Sequence, residues 1–147
     1  MLPFILGIAV SLTPIQTPPA NGACSVLTTA QVSLLIGAAR TLPVTVSPTG
    51  SSCMYQNNDK VITVLMATVS SPEAARDLFN AKKRIVSGVD VPGWSAPAYA
   101  GIMRPAAVVG VLMKQTLTEV KVIEPTQTPE AIAAKLQAVM KDVAARK

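Results

Sequence analysis

"KVITVLMATV", residues 60–69, is the strongest β-strand signal in the chain. It is rich in β-branched residues, and apolar side chains fall on both of its faces. Val61, Leu65 and Val69 lie on one face, and Ile62, Val64 and Met66 lie on the other. A strand with water on one side alternates apolar and polar residues, whereas two apolar faces indicate cover on both sides. We therefore expect this stretch to be central in a sheet.

The residues before this strand predict a hairpin partner and a short helix. "CMYQ" (53–56) has strand character, and "NND" (57–59) supplies a turn into residues 60–69. Further upstream, residues 40–52 are rich in turn residues and leave room for one short strand. Thr28 and Gln31 form a capping-box pattern, and Gly37 stands where a helix ends, so a helix is predicted over residues 29–36.

Two longer helices are marked by their first residues. Ser71 as the cap and Pro72 at the first helical position start one helix, which Gly88 is expected to close. Its predicted buried stripe is Ala75, Leu78, Phe79, Ile85 and Val86. Thr128 caps the last helix in the same way. That helix carries the apolar stripe Ile132, Leu136, Val139, Met140 and Val143.

Three strands are predicted between these helices: one begins at about Ala98, and a pair follows at residues 106–114 and 116–124. Only Lys114 and Gln115 are free to turn between them, so they should form an antiparallel hairpin. The second strand of the pair alternates, which places Glu119 and Lys121 on a face open to water. The predicted order α-β-β-α-β-β-β-α indicates an α+β fold, with a single antiparallel sheet and helices packed on it, in one domain over residues 24–147.

Composition excludes several kinds of site. The chain has 147 residues, a net charge of +5 and no histidine. The absence of histidine removes Ser–His and Cys–His catalysis and leaves too few ligands for structural zinc, so we expect no metal, no cofactor and no enzymatic activity. The basic excess is modest and lacks interleaved aromatic residues, which speaks against nucleic acid as a partner.

Residues 1–23 are expected to form a signal-like leader and a proline-rich linker; the alternatives are a core strand or helix of the mature domain, or a retained membrane-surface anchor. "MLPFILGIAVSL" (1–12) has the length of a signal-peptide core and is too short to span a membrane. Export favours a disulfide between Cys24 and Cys53, the only two cysteines. A lipid anchor on Cys24 is less favoured, because Asn21 occupies a position where an aliphatic residue is needed, and two reduced cysteines remain an alternative.

Five stretches together resemble a group of small secreted proteins and lipoproteins of bacteria that carry domains of unknown function. They are "CSVLTTAQVSLLIG" (24–37), "SSCMYQN" (51–57), "SPEAARDLFNAKK" (71–83), "VPGWSAPAYAG" (91–101) and "TPEAIAAKL" (128–136). The resemblance implies export and paired cysteines, and it supplies no catalytic residues. It departs at Ser95, Ala96 and Pro97, where the group usually has a second glycine and an acid.

Candidate binding residues are few. Trp94 and Tyr99, with Pro92 and Gly93, could line a cleft, although aromatic residues that are this scarce commonly serve in packing. The basic residues Arg76, Lys82, Lys83 and Arg84 could meet an anionic surface or form a solvated helix face. Four acids are the only plausible carboxylates for a catalytic pair: Asp77, Asp90, Glu119 and Glu124. Their spacing does not form such a pair, and all four are expected to be exposed.

These observations predict a secreted, periplasmic or envelope protein that is not an enzyme. It would bind an unknown envelope ligand or protein, or act as an accessory subunit. The alternative is a homodimer that pairs through a sheet face or through the strand at residues 116–124.

Overall fold

The structure, a computed structural model, describes residues 22–47 and 49–146, so the predicted leader lies outside it apart from Gly22 and Ala23. A single 3-10 turn, Ala23–Ser25, precedes the helices and strands. The helices are α1 (Thr29–Ile36), α2 (Pro72–Ile85) and α3 (Pro129–Ala145). The strands are β1 (Arg40–Ser47), β2 (Gly50–Asn57), β3 (Lys60–Thr68), β4 (Val89–Asp90), β5 (Ala98–Met103), β6 (Ala106–Met113) and β7 (Thr116–Ile123).

The strands form one antiparallel sheet in the order β1-β2-β3-β7-β6-β5-β4. The predicted α+β fold is confirmed, and β3 lies in the interior between β2 and β7. The turn-rich residues after α1 form a full strand, β1, because β2 offers them a pairing edge from Arg40 with Gln56 to Ser47 with Gly50. The structure also contains a strand that the sequence did not predict, β4, which is only two residues long.

Helices cover both faces of the sheet rather than one. Helices α1 and α3 pack with the disulfide on the face that carries Ile62 and Val64, where the larger core lies. Helix α2 lies on the opposite face, mainly over β5, β6 and β7. Because α2 sits over that half of the sheet, the second apolar face of β3 is only partly covered, and Leu65 is 41% exposed.

The helix ends follow their capping residues. The capping box of α1 is present, and the hydroxyl oxygens of Ser71 and Thr128 accept hydrogen bonds from the first turns of α2 and α3. Helix α2 ends before Gly88, with Ser87 in the left-handed region at φ 50°. The prediction that Ile85 is buried is wrong, because α2 ends there and the residue is 66% exposed; Val86, the next residue of the predicted stripe, is buried as predicted.

Strand β7 differs from its prediction in two ways. It forms the expected hairpin with β6, but it is an interior strand paired on both sides, so it offers no free edge to a partner. Its Glu119 is buried, because α2 covers this face of the sheet. The expectation of a wet face fails here because it rests on local alternation alone.

The disulfide between Cys24 and Cys53 is present, with an S–S distance of 2.02 Å. It joins the 3-10 turn before α1 to β2. Two hydrogen bonds strengthen the same junction: the Ala23 N–H donates to the Ser51 hydroxyl at 2.9 Å, and the Tyr55 hydroxyl donates to the Cys24 carbonyl at 3.0 Å. The start of the described chain is therefore fixed to the sheet covalently and by polar contacts.

Candidate functional site

Tyr99 belongs to the core beneath α2. It is fully buried, its ring meets Phe79 edge-on at 5.1 Å, and its hydroxyl donates to Glu119 Oε2 at 2.5 Å. Burial first, and then the hydrogen bond and charge of Glu119, raise the pKa of the phenol far above its ordinary value. Gly110 leaves the space in which the ring lies. Tyr99 is therefore a packing residue with a satisfied hydroxyl.

Trp94 lies apart from Tyr99, in the loop between β4 and β5. It is half-buried and packs against the larger core on the α1 and α3 side. Its neighbour Ser95 donates a hydrogen bond to the Ala144 carbonyl at 2.8 Å, which ties the loop to the end of α3. Pro92 and Gly93 are exposed, and Gly93 has φ 83°. The structure thus does not bring the two aromatic residues into one site.

The carboxylates do not form a catalytic pair. Glu119 and Glu124 are buried, which corrects the expectation that they are exposed, whereas Asp77 and Asp90 are exposed. Glu124 accepts bonds at 2.7 Å from both the hydroxyl and the N–H of Thr126 and lies 3.4 Å from Lys60 Nζ. These contacts hold the pKa of Glu124 below its ordinary value, with the Thr126 hydroxyl bond as the largest cause. Glu124 caps the turn before α3.

The basic residues of α2 separate into two groups. Arg76 and Lys83 line a cleft of about 450 Å³ between α2, the loop before β5 and the end of β6, which we call the α2 cleft. Lys82 and Arg84 do not line it. Lys114, from the β6–β7 turn, lines its other side. Lys114 was not among the candidate residues predicted from the sequence. The only signal for it was its position in a two-residue turn, where a side chain points toward solvent.

The lining of the α2 cleft combines apolar and cationic side chains. Phe79, Pro97 and Leu112 contribute apolar surface, and Asp90 contributes the one carboxylate that lines it. Asp90 is already paired with Lys83 at 3.0 Å. Neither Arg76 nor Lys114 forms an ion pair with any described carboxylate. The cleft therefore has two positive charges without carboxylate partners and several apolar lining residues, a combination that favours an anion with an apolar body.

A second cleft adjoins the first. It has a volume of about 580 Å³ and lies between the loop before β5, the end of β6 and the end of α3; we call it the α3 cleft. Its lining is apolar except for Ser95, Lys114 and Arg146. The two clefts share Pro97, Leu112 and Lys114, so one ridge of three residues separates them.

A third concave surface, of about 550 Å³, lies at the outer edge of β5 beside α3 and is called the edge groove. β4 pairs only with Tyr99 and Ala100, so it leaves the outward N–H and C=O of Ile102 with no partner among the described residues. Val89 borders the groove and is 71% exposed. The edge groove is therefore one open part of the sheet edge, and the outer side of β1 is another.

Comparison of the chain with protein-family models, with curated proteins and with solved structures finds no match. Among residues 22–47 and 49–146, no helix is both long and apolar enough to cross a membrane. The same residues contain no cluster of three or more His, Cys, Asp or Glu side chains that could hold a metal ion.

Proposed function

We propose that this protein is a small, exported binding module of the bacterial cell envelope and has no enzymatic activity. The Cys24–Cys53 disulfide supports export, because such bonds persist in oxidising compartments. The sequence supports the absence of catalysis, since it has no histidine, and the two buried carboxylates are each engaged in structural hydrogen bonds. The resemblance to secreted bacterial domains points the same way.

The observation that carries the proposal is the α2 cleft. Arg76 and Lys114 line it without carboxylate partners in the described chain, and apolar residues line the same cleft. Charged hydrogen bonds are stronger than neutral ones, and they gain strength where apolar neighbours lower the local dielectric constant. The cleft is therefore suited to a small anion that also has an apolar part.

Isothermal titration of the oxidised protein with 8-anilinonaphthalene-1-sulfonate, an apolar anion, tests this proposal. Its uncharged counterpart, N-phenyl-1-naphthylamine, has the same aromatic body. We expect the anion to bind at least about tenfold more tightly than the neutral molecule, and an Arg76→Gln/Lys114→Gln variant to lose that preference, with about 1.4 kcal/mol as the equivalent free energy. Lys82→Gln/Arg84→Gln is the matched control with the same charge loss. Equal binding of the two probes, or equal loss in both variants, would contradict the proposal.

The edge groove favours a second candidate, a homodimer. The open backbone of Ile102 and the exposed Val89 would allow two copies to pair through the β4–β5 side of the sheet. Light scattering during size-exclusion chromatography should then give a mass near twice 15.3 kDa for the full chain, and Val89→Lys should halve it. A constant monomer mass up to millimolar concentration would rule out this candidate.

A further inference from the structure

We infer that the ligand is a single-headed anionic amphiphile with a long hydrocarbon chain. Its head would lie at Arg76 and Lys114 in the α2 cleft, and its chain would cross to the α3 cleft. This inference rests on the proposed binding function and specifies the class of ligand. It explains why two clefts of similar size share one ridge.

The ridge between the clefts suits the passage of a hydrocarbon chain. Pro97 has no N–H, and its carbonyl accepts a hydrogen bond from the Leu112 N–H at 2.9 Å. These backbone groups are therefore satisfied where a chain would pass over them, and burying them requires no new polar partner. The remaining ridge residue, Lys114, lines both clefts, so its ammonium group can meet a head beside the start of the chain.

The α3 cleft provides the apolar surface for the chain. Leu112 and Met113 line one side, and Ala144 and Ala145, whose side chains are small, line the other. The carbonyl of Ala144 lies in the last turn of α3, where helix carbonyls lack intrahelical partners, and it accepts the hydrogen bond of Ser95 at 2.8 Å. This surface therefore offers van der Waals contact and little polar competition.

The far side of the α3 cleft argues against a second anionic head. Arg146 lines it, but its guanidinium group is already engaged: Nη1 donates to the Val26 carbonyl at 2.7 Å and Nη2 donates to the Gln31 side chain at 3.0 Å. Arg76 lines only the α2 cleft and Lys114 lines both clefts, and neither has an ion-pair partner in the described chain. The distribution of available charge thus fits one head and one apolar end.

The effect of chain length on affinity is measured by titrating the protein with octanoate, dodecanoate and palmitate, each below its critical micelle concentration. Each buried methylene contributes about 0.8 kcal/mol, or roughly fourfold in affinity, so palmitate should bind at least about tenfold more tightly than octanoate. Ala145→Gln places a longer polar side chain in the α3 cleft and should remove most of this gain. Ala134→Gln, on an exposed position of α3 that lines neither cleft, is the matched control and should retain it.

Vesicles of phosphatidylglycerol, with phosphatidylcholine as the neutral reference, distinguish the source of the chain. Flotation with anionic vesicles that is lost in Ala145→Gln identifies a membrane lipid as the ligand, whereas chain-dependent binding of free palmitate alone identifies a soluble fatty acid; both support the inference. Equal affinity for octanoate and palmitate would overturn the inference and leave the proposed anion site intact. Failure of every anion, including the naphthalene sulfonate, would overturn both.

Discussion

Replacing Gly110 with alanine should destabilise the protein through one buried ring. A methyl group at Gly110 would overlap Cζ, Cε1 and Oη of Tyr99. The ring cannot retreat freely, because the Phe79 ring packs against it in a T-shaped arrangement with centroids 5.1 Å apart, and Glu119 accepts its hydroxyl hydrogen bond at 2.5 Å. Overpacking costs about 1–3 kcal/mol. Loss of a hydrogen bond to a charged group adds about 1.5–3 kcal/mol, so we expect a total near 3 kcal/mol or more.

Urea unfolding of the oxidised protein measures this cost, and a double-mutant cycle assigns it to Tyr99. Leucine at position 99 has none of the three overlapping atoms. In a Tyr99→Leu background, Gly110→Ala should therefore be close to neutral, or stabilising by about 0.5 kcal/mol because alanine loses less backbone entropy than glycine. If Gly110→Ala costs the same in both backgrounds, the close approach of the ring is not the cause, and the reasoning fails.

Three further predictions concern the disulfide, one carboxylate and one helix cap. A Cys24→Ala/Cys53→Ala variant should lose about 3–4 kcal/mol in urea unfolding, because the bond closes a loop with a sequence separation of 29 residues; unchanged stability after reduction of the wild type would contradict this. The folded-state pKa of Glu124 is lowered, so its contribution is present above the ordinary glutamate value of 4.5 and is lost as the pH falls through the lower folded pKa. The stability advantage of the wild type over Glu124→Gln should thus shrink in acid, and an advantage that grows there would reverse the assigned sign. Ser71→Ala removes the cap bond to Ala74 N and should cost about 1 kcal/mol in thermal unfolding, whereas Ser71→Asp should cost much less.

Local patterns were sufficient to predict the elements whose signals lie within a few residues. The two apolar faces of residues 60–69 predicted an interior strand, and the two-residue turn at Lys114 and Gln115 predicted a hairpin; the structure confirms both. The cap at Thr128 and the apolar stripe after it predicted α3 and its buried side. Each of these predictions depends on residues that are adjacent along the chain.

The wrong predictions for individual side chains come from packing between distant parts of the chain and from where one helix ends. Glu119 looks exposed in an alternating strand, but α2 covers that face and Tyr99 satisfies the carboxylate. Ile85 fits the helical stripe, but the helix ends there and leaves it exposed. No local pattern encodes which half of a sheet a helix covers.

The candidate site was only partly accessible from sequence for the same reason. Arg76 and Lys83 were identified as basic residues of one helix, but their separation from Lys82 and Arg84 depends on which neighbours the helix has. Lys114 joins them from a turn more than thirty residues away along the chain.

The pairing of β3 with β7 has a consequence for how the chain folds. All the other pairings join strands that are consecutive in sequence. The sheet therefore consists of two meanders, β1 to β3 and β4 to β7, which meet along one ladder from Val61 with Ile123 to Thr68 with Thr116. Closing this ladder requires the whole of α2 and the second meander to be held in place, which is an entropic cost that local hairpins do not have. We therefore expect the pairing of β3 with β7 to limit the folding rate. Truncating an apolar side chain in this ladder should slow folding more than a substitution elsewhere that costs the same free energy of unfolding.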